Sequence, residues 1–255
     1  MIKFEHTKVL GWEHAIRGMR NPYSIEGAEN NSWDKSDSFF CQKPDEKCSV
    51  CEGRHTDQCY NGFVLGPNDL DLMKRLCNAG TDHRKFMRMI TVYVDITAPL
   101  YFFKEFETYK VGTVSNSCST MHKIHAKEFT LGDFSTDHLI DYELYSCDEV
   151  DGPVLNCAPN VYCGGLQHMN LTINVLNYYR KKYLETKDKK YWWQMIQLLP
   201  SSYNQKRTVM LNYEVLSNIY KSRKDHKLDE WKRFCNEWIT SLPYSELITG
   251  GIEND

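Results

Sequence analysis

Three groups of residues have types and spacings that could do chemistry. The first is Cys41, Cys48, Cys51 and Cys59. Cys48 and Cys51, two residues apart, can set both thiolates on one tetrahedral ion, and the outer pair can close the shell. His55 is a spare ligand. Zinc held this way would be structural, because four protein ligands leave no open position. The alternative is a set of reduced cysteines in a loop. The second group, Cys147, Cys157 and Cys163 with His168, reads as packing and loop positions rather than a further metal site. The third is Asn212, Asn218 and Arg223. At about 100° per residue the two amides lie about 240° apart on a helix, so they do not share a face. Buried amides cost stability unless they meet a partner. Either both are solvent-exposed, or they point into a ligand pocket in which Arg223 clamps an anion.

The elements that must position these groups follow from pattern. Ala15, Ile16 and Met19 share one helical face, and Asn21-Pro22 ends that helix. Residues 23–66 are polar and hold four of the ten cysteines; so long an irregular stretch needs something to order it. Asn68 is the expected N-cap of a helix whose stripe is Leu70, Met73, Leu76 and Cys77, with Asp69 and Asp71 near its positive end and Gly80 after it. Residues 89–96 read as a strand, and Pro99 opens an aromatic helix to about Tyr109. Residues 110–121 are small and polar, a loop or a helix held by tertiary contacts. Residues 126–163 form a second irregular region. Helices are expected from Gly165, over Tyr191–Leu199, over Met210–Tyr220 and over Leu228–Leu242.

Composition bounds the class. With 255 residues, 41% hydrophobic and 25% charged, the chain can bury a core without staples, and 13% aromatics exclude intrinsic disorder. No apolar run approaches the ~20 residues of a membrane span. The N-terminus shows no apolar signal core, so a cytoplasmic protein is expected. A net charge of −3 argues against a general nucleic-acid binder but leaves room for a local basic pocket.

The stretch from Leu199-Pro200 through Asn212, Asn218 and Arg223 to His226 resembles the C-terminal motif of flavin-dependent thymidylate synthases. There a Leu-Pro turn leads into a helix bearing two asparagines, then an arginine, then a histidine. A second segment agrees: the helix at 72–80, a strand, Ala98-Pro99 and an aromatic helix follow in the family's order. The family's Arg-His-Arg-x-x-Ser flavin motif then falls on 108–121 without gaps. The resemblance covers roughly 68–122 and 165–250, with 23–66 and 126–163 as insertions.

The resemblance implies an α+β fold in a single thymidylate synthase-like domain. It also implies FAD, a pyrimidine deoxynucleotide such as dUMP, methylenetetrahydrofolate, NADPH and a homotetramer with active sites between subunits. Tyr109, Lys110, Thr113, Asn212 and Asn218 would meet the cofactor; Glu105, Asn116, Cys118 and Arg223 would meet substrate, with Arg223 and Cys118 as catalytic candidates. Cys118 stands where the family has a serine beside the base; it is a candidate nucleophile, or, by the blander reading, a small buried residue.

The chain departs from the family where phosphate donors should be. The motif arginines become Thr108, Lys110 and Thr120, and the motif histidine becomes Tyr109. Two further family arginines fall on Ile196 and Glu214. Arg223 alone survives. Each lost charge-assisted contact is worth roughly 1.5–3 kcal/mol, and lysine restores charge without the planar fork. Two readings stay open: a divergent flavoprotein that binds and modifies a pyrimidine nucleotide, or a binding or structural protein that has lost flavin and synthase activity.

Overall fold

The computed structural model describes residues 1–21, 35–40, 59–60, 63–141 and 164–250. They fall into two compact units, each assembled from separate stretches of chain.

The larger unit takes Ile2–Ile96, Phe106–Asn116 and Arg207–Asp255. Its strand β1 (Lys3–Leu10) leads through Gly11 into helix α1 (Trp12–Arg20). Gly11 has φ of 95°, and a Cβ there would lie 2.1 Å from the Met89 carbonyl oxygen, so only glycine allows this approach. The small strands β2 (Phe39–Phe40), β3 (Cys59–Tyr60) and β4 (Phe63–Val64) pair antiparallel, Phe40 and Tyr60 both opposite Phe63. Helix α2 (Pro67–Asn78) follows.

Strand β5 (Thr91–Pro99) shows the period of two that its β-branched residues predict: Val92, Val94 and Ile96 are buried while Tyr93 is exposed. It sits in a four-stranded sheet of order β1-β5-β7-β6, with β6 spanning Val114–Ser117 and β7 Asn204–Asn212. Helix α7 (Tyr213–Arg223) continues directly from β7. The unit ends in α8 (Asp229–Arg233), a π-helical turn at Phe234–Trp238 and α9 (Glu246–Thr249).

The smaller unit comprises Met1, Thr97–Glu105 and Ser117–Lys206. It holds most of α3 (Leu100–Phe106), the short α4 (Thr120–Lys123), and a hairpin of α5 (Gly165–Thr186) and α6 (Lys189–Leu198). Its core gathers Ile124, Phe129, Phe134, Ile173, Leu176 and Met195. The hairpin turns at Lys187, which takes a left-handed φ of 56°, and Asp188 caps α6 by accepting from the Lys190 N–H at 3.0 Å.

Three boundaries differ from the expectations. The helix expected from Met210 begins only at Tyr213, because 204–212 is strand; the i, i+4 match of Leu211 and Val215 across the junction mimicked one helix. The stretch 110–121, whose small polar residues suit a loop or a helix, contains β6 and the start of α4. Asn68 does not cap α2. Gly66 is the N-cap and Pro67 occupies the first turn, where its missing N–H costs nothing. The orphan N–H groups of Asn68 and Asp69 are instead taken by the carboxylate of Asp37, at 2.9 and 3.1 Å. Asp69 is fully buried, accepts from Arg20 Nε at 2.7 Å, and accepts the Ser36 and Ser38 hydroxyls at 2.5 and 2.6 Å.

Candidate functional site

The strand-to-helix junction at β7–α7 organises the candidate residues of the larger unit. Asn212 is the N-cap of α7: its Oδ1 accepts the Val215 N–H at 3.0 Å. Its role is therefore structural in the first instance, although its Nδ2 lies against Gly112. There a Cβ would come within 3.1 Å of Nδ2 and 3.2 Å of Val215 Cγ2. Gly112 itself has φ of 78°, so a glycine is needed both for the turn and for the close approach. Asn218, one turn and a half along α7, is exposed, and its Oδ1 accepts from Arg84 Nη2 at 3.4 Å.

At the C-terminal end of α7, Arg223 is half-buried. Its Nε donates to the Tyr109 hydroxyl at 2.9 Å. The guanidinium carbon lies 5.1 Å from the Trp231 ring centroid and 5.8 Å from that of Tyr109. Trp231 is fully buried, so the arginine stacks on a rigid ring. Tyr109 stands where the resemblance places the motif histidine. In this chain that position holds the hydroxyl that meets Arg223.

Two further cations meet the first turn of the same helix. Glu214, buried where the resemblance would put an arginine, pairs with Arg88 and lies 3.6 Å from Arg84 Nε. Arg84 is itself buried, and its Nε finds no hydrogen-bond partner among the described residues. Glu214 thus sits between two guanidiniums, and Arg84 also reaches Asn218. Sequence reasoning missed Arg84 and Arg88. Arg84 precedes and Arg88 ends a short 3-10 turn before β5, and nothing in their spacing separates them from ordinary surface cations.

The motif segment places its remaining residues as follows. Lys110, Val111 and Asn116 are exposed, and Thr113 is half-buried with its N–H donated to the Lys110 carbonyl at 3.3 Å. The Thr113 hydroxyl is buried and has no hydrogen-bond partner among the described residues. In the smaller unit, Glu105 is half-buried on α3. Cys118 is exposed, against the blander expectation of a buried residue; its N–H donates to the Lys206 carbonyl and its carbonyl accepts from Gln205 Nε2, both at 3.0 Å.

The other cysteines divide. Burial pushes the Cys235 thiol up to about 12 and the half-buried Cys77 thiol up to about 11. Both therefore stay protonated and unreactive near neutrality. Of the proposed zinc ligands, Cys41, Cys48 and Cys51 lie outside the described residues, and Cys59 pairs through its backbone on β3. Cys147, Cys157 and Cys163 also lie outside. Among the described residues no three His, Cys, Asp or Glu side chains gather to hold a metal, and no helix is long and apolar enough to cross a membrane.

No family model matches the sequence. No curated protein matches it either. Solved structures do. Thymidylate synthase X from Helicobacter pylori, solved with FAD and dUMP, superposes with a TM-score of 0.56 over 96% of this chain and 94% of its own, at 14% identity. The UMP/dUMP methylase PolB from Streptomyces cacaoi, bound to 5-Br UMP, superposes with a TM-score of 0.52 over 98% and 92%, at 11% identity. At such identities the likeness concerns architecture, and on it the chain has the α+β fold of thymidylate synthase X.

Proposed function

We propose that this chain binds a pyrimidine nucleoside monophosphate of the dUMP type together with FAD, and modifies the base. The observation that carries the reading is Arg223. Its half-buried guanidinium is tied to Tyr109 and stacked on Trp231, at the helix position where the resemblance expects the nucleotide phosphate. A fork held in this way loses less rotamer freedom on meeting a dianion than a surface arginine would. The two superposed structures hold FAD with dUMP and 5-Br UMP, which supports the same ligand class here.

The motif segment fits a flavin nucleotide on its own chemistry. The buried Thr113 hydroxyl lacks a partner among the described residues, and Gly112 brings backbone close to Asn212 Nδ2. Lys110 would supply charge to the cofactor phosphates, Thr113 a hydroxyl, and Asn212 and Asn218 amide N–H groups. When bound, a reduced flavin supplies hydride. The protein's part is orientation: Arg223 holds the substrate phosphate, while the Arg84–Glu214–Arg88 cluster keeps Asn218 in place through its Oδ1. Folate and NADPH are the co-substrates this reading carries with it, and a homotetramer its assembly. Structural zinc on Cys41, Cys48, Cys51 and Cys59 rests on spacing alone; elemental analysis finding about one zinc per chain supports it, and metal-free protein of unchanged stability rejects it.

The test is visible absorption of the purified protein before and after incubation with FAD, followed by dUMP-dependent NADPH oxidation. Flavin bands with dUMP-dependent turnover support the reading. A second reading, a nucleotide-binding protein without flavin, is favoured by Thr108 and Lys110 standing exposed in place of two motif arginines. It predicts colourless protein that takes up no FAD yet still binds dUMP. Protein that binds neither ligand overturns both.

A further inference from the structure

A strongly patterned surface lies elsewhere, on the α5–α6 hairpin of the smaller unit. Between 178 and 193 the sequence holds six aromatic residues, six cations and only two acids, in a chain whose acids outnumber its basic residues. Both acids are engaged locally: Glu185 with Lys182 at 3.6 Å and Asp188 with Lys190 at 3.1 Å. Among the described residues no carboxylate pairs with Lys181, Lys187 or Lys189, and all three are exposed. The hairpin is therefore a local cationic surface on an acidic protein.

Its rings divide by role. Tyr179, Tyr183 and Trp192 pack against the unit's core. Tyr178 and Trp193 point outward, 56% and 43% exposed. Cations lie over these rings: Lys182 6.0 Å from the centre of Tyr178, and Lys189 5.7 Å from that of Trp193. A groove of about 510 Å³ runs along α5, lined by Tyr178, Arg180, Lys181 and Asn174 together with the carboxylates Glu128 and Glu185.

We infer that the α5–α6 hairpin is a docking surface for single-stranded nucleic acid. Exposed rings interleaved with lysines, three of them paired with no carboxylate among the described residues, are what such a ligand needs, because bases stack on the rings while phosphates meet the ammonium groups. Charge complementarity decides among occupants. A second copy of the same hairpin would bring like charges together. A lipid surface would require a continuous apolar face, whereas here lysines lie over the outward rings. The inference rests on a different unit from the nucleotide reading and stands or falls apart from it.

The experiment is fluorescence anisotropy of a labelled oligothymidylate 15-mer with the full chain at 50 and 200 mM salt. Saturable binding is expected, weakening about 50-fold between those salts if about four phosphates are neutralised. Lys181→Glu with Lys189→Glu should flatten that salt dependence. Trp193→Ala and Tyr178→Ala should each weaken binding about fivefold or more and leave the salt dependence intact. Quenching of tryptophan fluorescence in the unaltered protein reads stacking even where a variant fails to fold. No binding at 50 mM salt, equal competition by polyglutamate, or indifference to both sets of substitutions overturns the inference. So does binding of phosphatidylserine vesicles without binding of the oligonucleotide.

Discussion

Removing the Tyr109 hydroxyl should matter only while Arg223 is present. In the structure that hydroxyl accepts from Arg223 Nε at 2.9 Å, and Trp231 supports the guanidinium from 5.1 Å. A hydrogen bond to a charged group is worth about 1.5–3 kcal/mol when buried. Arg223 is only half-buried, so solvent screening reduces the positioning effect to about 1 kcal/mol. Tyr109→Phe should therefore weaken dUMP binding about fivefold. Arg223→Ala removes the phosphate contact itself, about 1.5–3 kcal/mol, and should weaken binding about 10- to 150-fold. Arg223→Lys should fall between them, since it keeps the charge and loses the fork and the stack. Calorimetric titration of dUMP into the two single variants and the double variant completes a cycle. In the Arg223→Ala background, Tyr109→Phe should add nothing. Because Trp231 is core, thermal melts must show each variant folded. Unchanged affinity in folded Arg223→Ala refutes the reasoning, as does a Tyr109→Phe effect of equal size in both backgrounds.

Asp69→Ala should cost about 3–5 kcal/mol in guanidinium denaturation, because it strands the buried Arg20 charge; a loss below about 1 kcal/mol would mean that Arg20 finds another partner. Gly112→Ala should lower stability by about 1–2 kcal/mol, from a left-handed φ and crowding against Asn212, and the melting temperature reads it. In native protein mapped by mass spectrometry at pH 8, alkylation should mark Cys118 and spare Cys77 and Cys235 until unfolding. The same two thiols make stability fall with alkali. Unfolded, they ionise near pH 9, and folded only near 11 and 12, so their contribution is whole below 9 and lost as pH rises through the folded values. Denaturation midpoints that do not decline above pH 9 would contradict this.

Much of the architecture was legible because its signals are local. The β-branched run of β5, Pro99 before the aromatic helix and the stripe of α2 each fix an element from its own residues. What could not be read locally was supplied from a distance. The cap of α2 comes from Asp37, about thirty residues upstream, so nothing in the local sequence excludes Asn68 as the cap. The apolar neighbours of Asn212 continue the helix stripe, and the same pattern serves a strand that ends at the N-cap of α7. The candidate site was half legible. Asn218 and Arg223 could be singled out from their spacing together with the family resemblance. The buried Arg84 and its pairing with Glu214 are products of folding and leave no periodic trace.

The central claim is that the fold still holds a flavin beside a pyrimidine nucleotide. The most direct measurement is the visible difference spectrum of FAD-incubated protein titrated with dUMP. We expect bound flavin after desalting and a saturable, dUMP-dependent shift of its bands that is weakened in Arg223→Ala. Protein that retains no flavin, or flavin bands indifferent to dUMP, would contradict the claim.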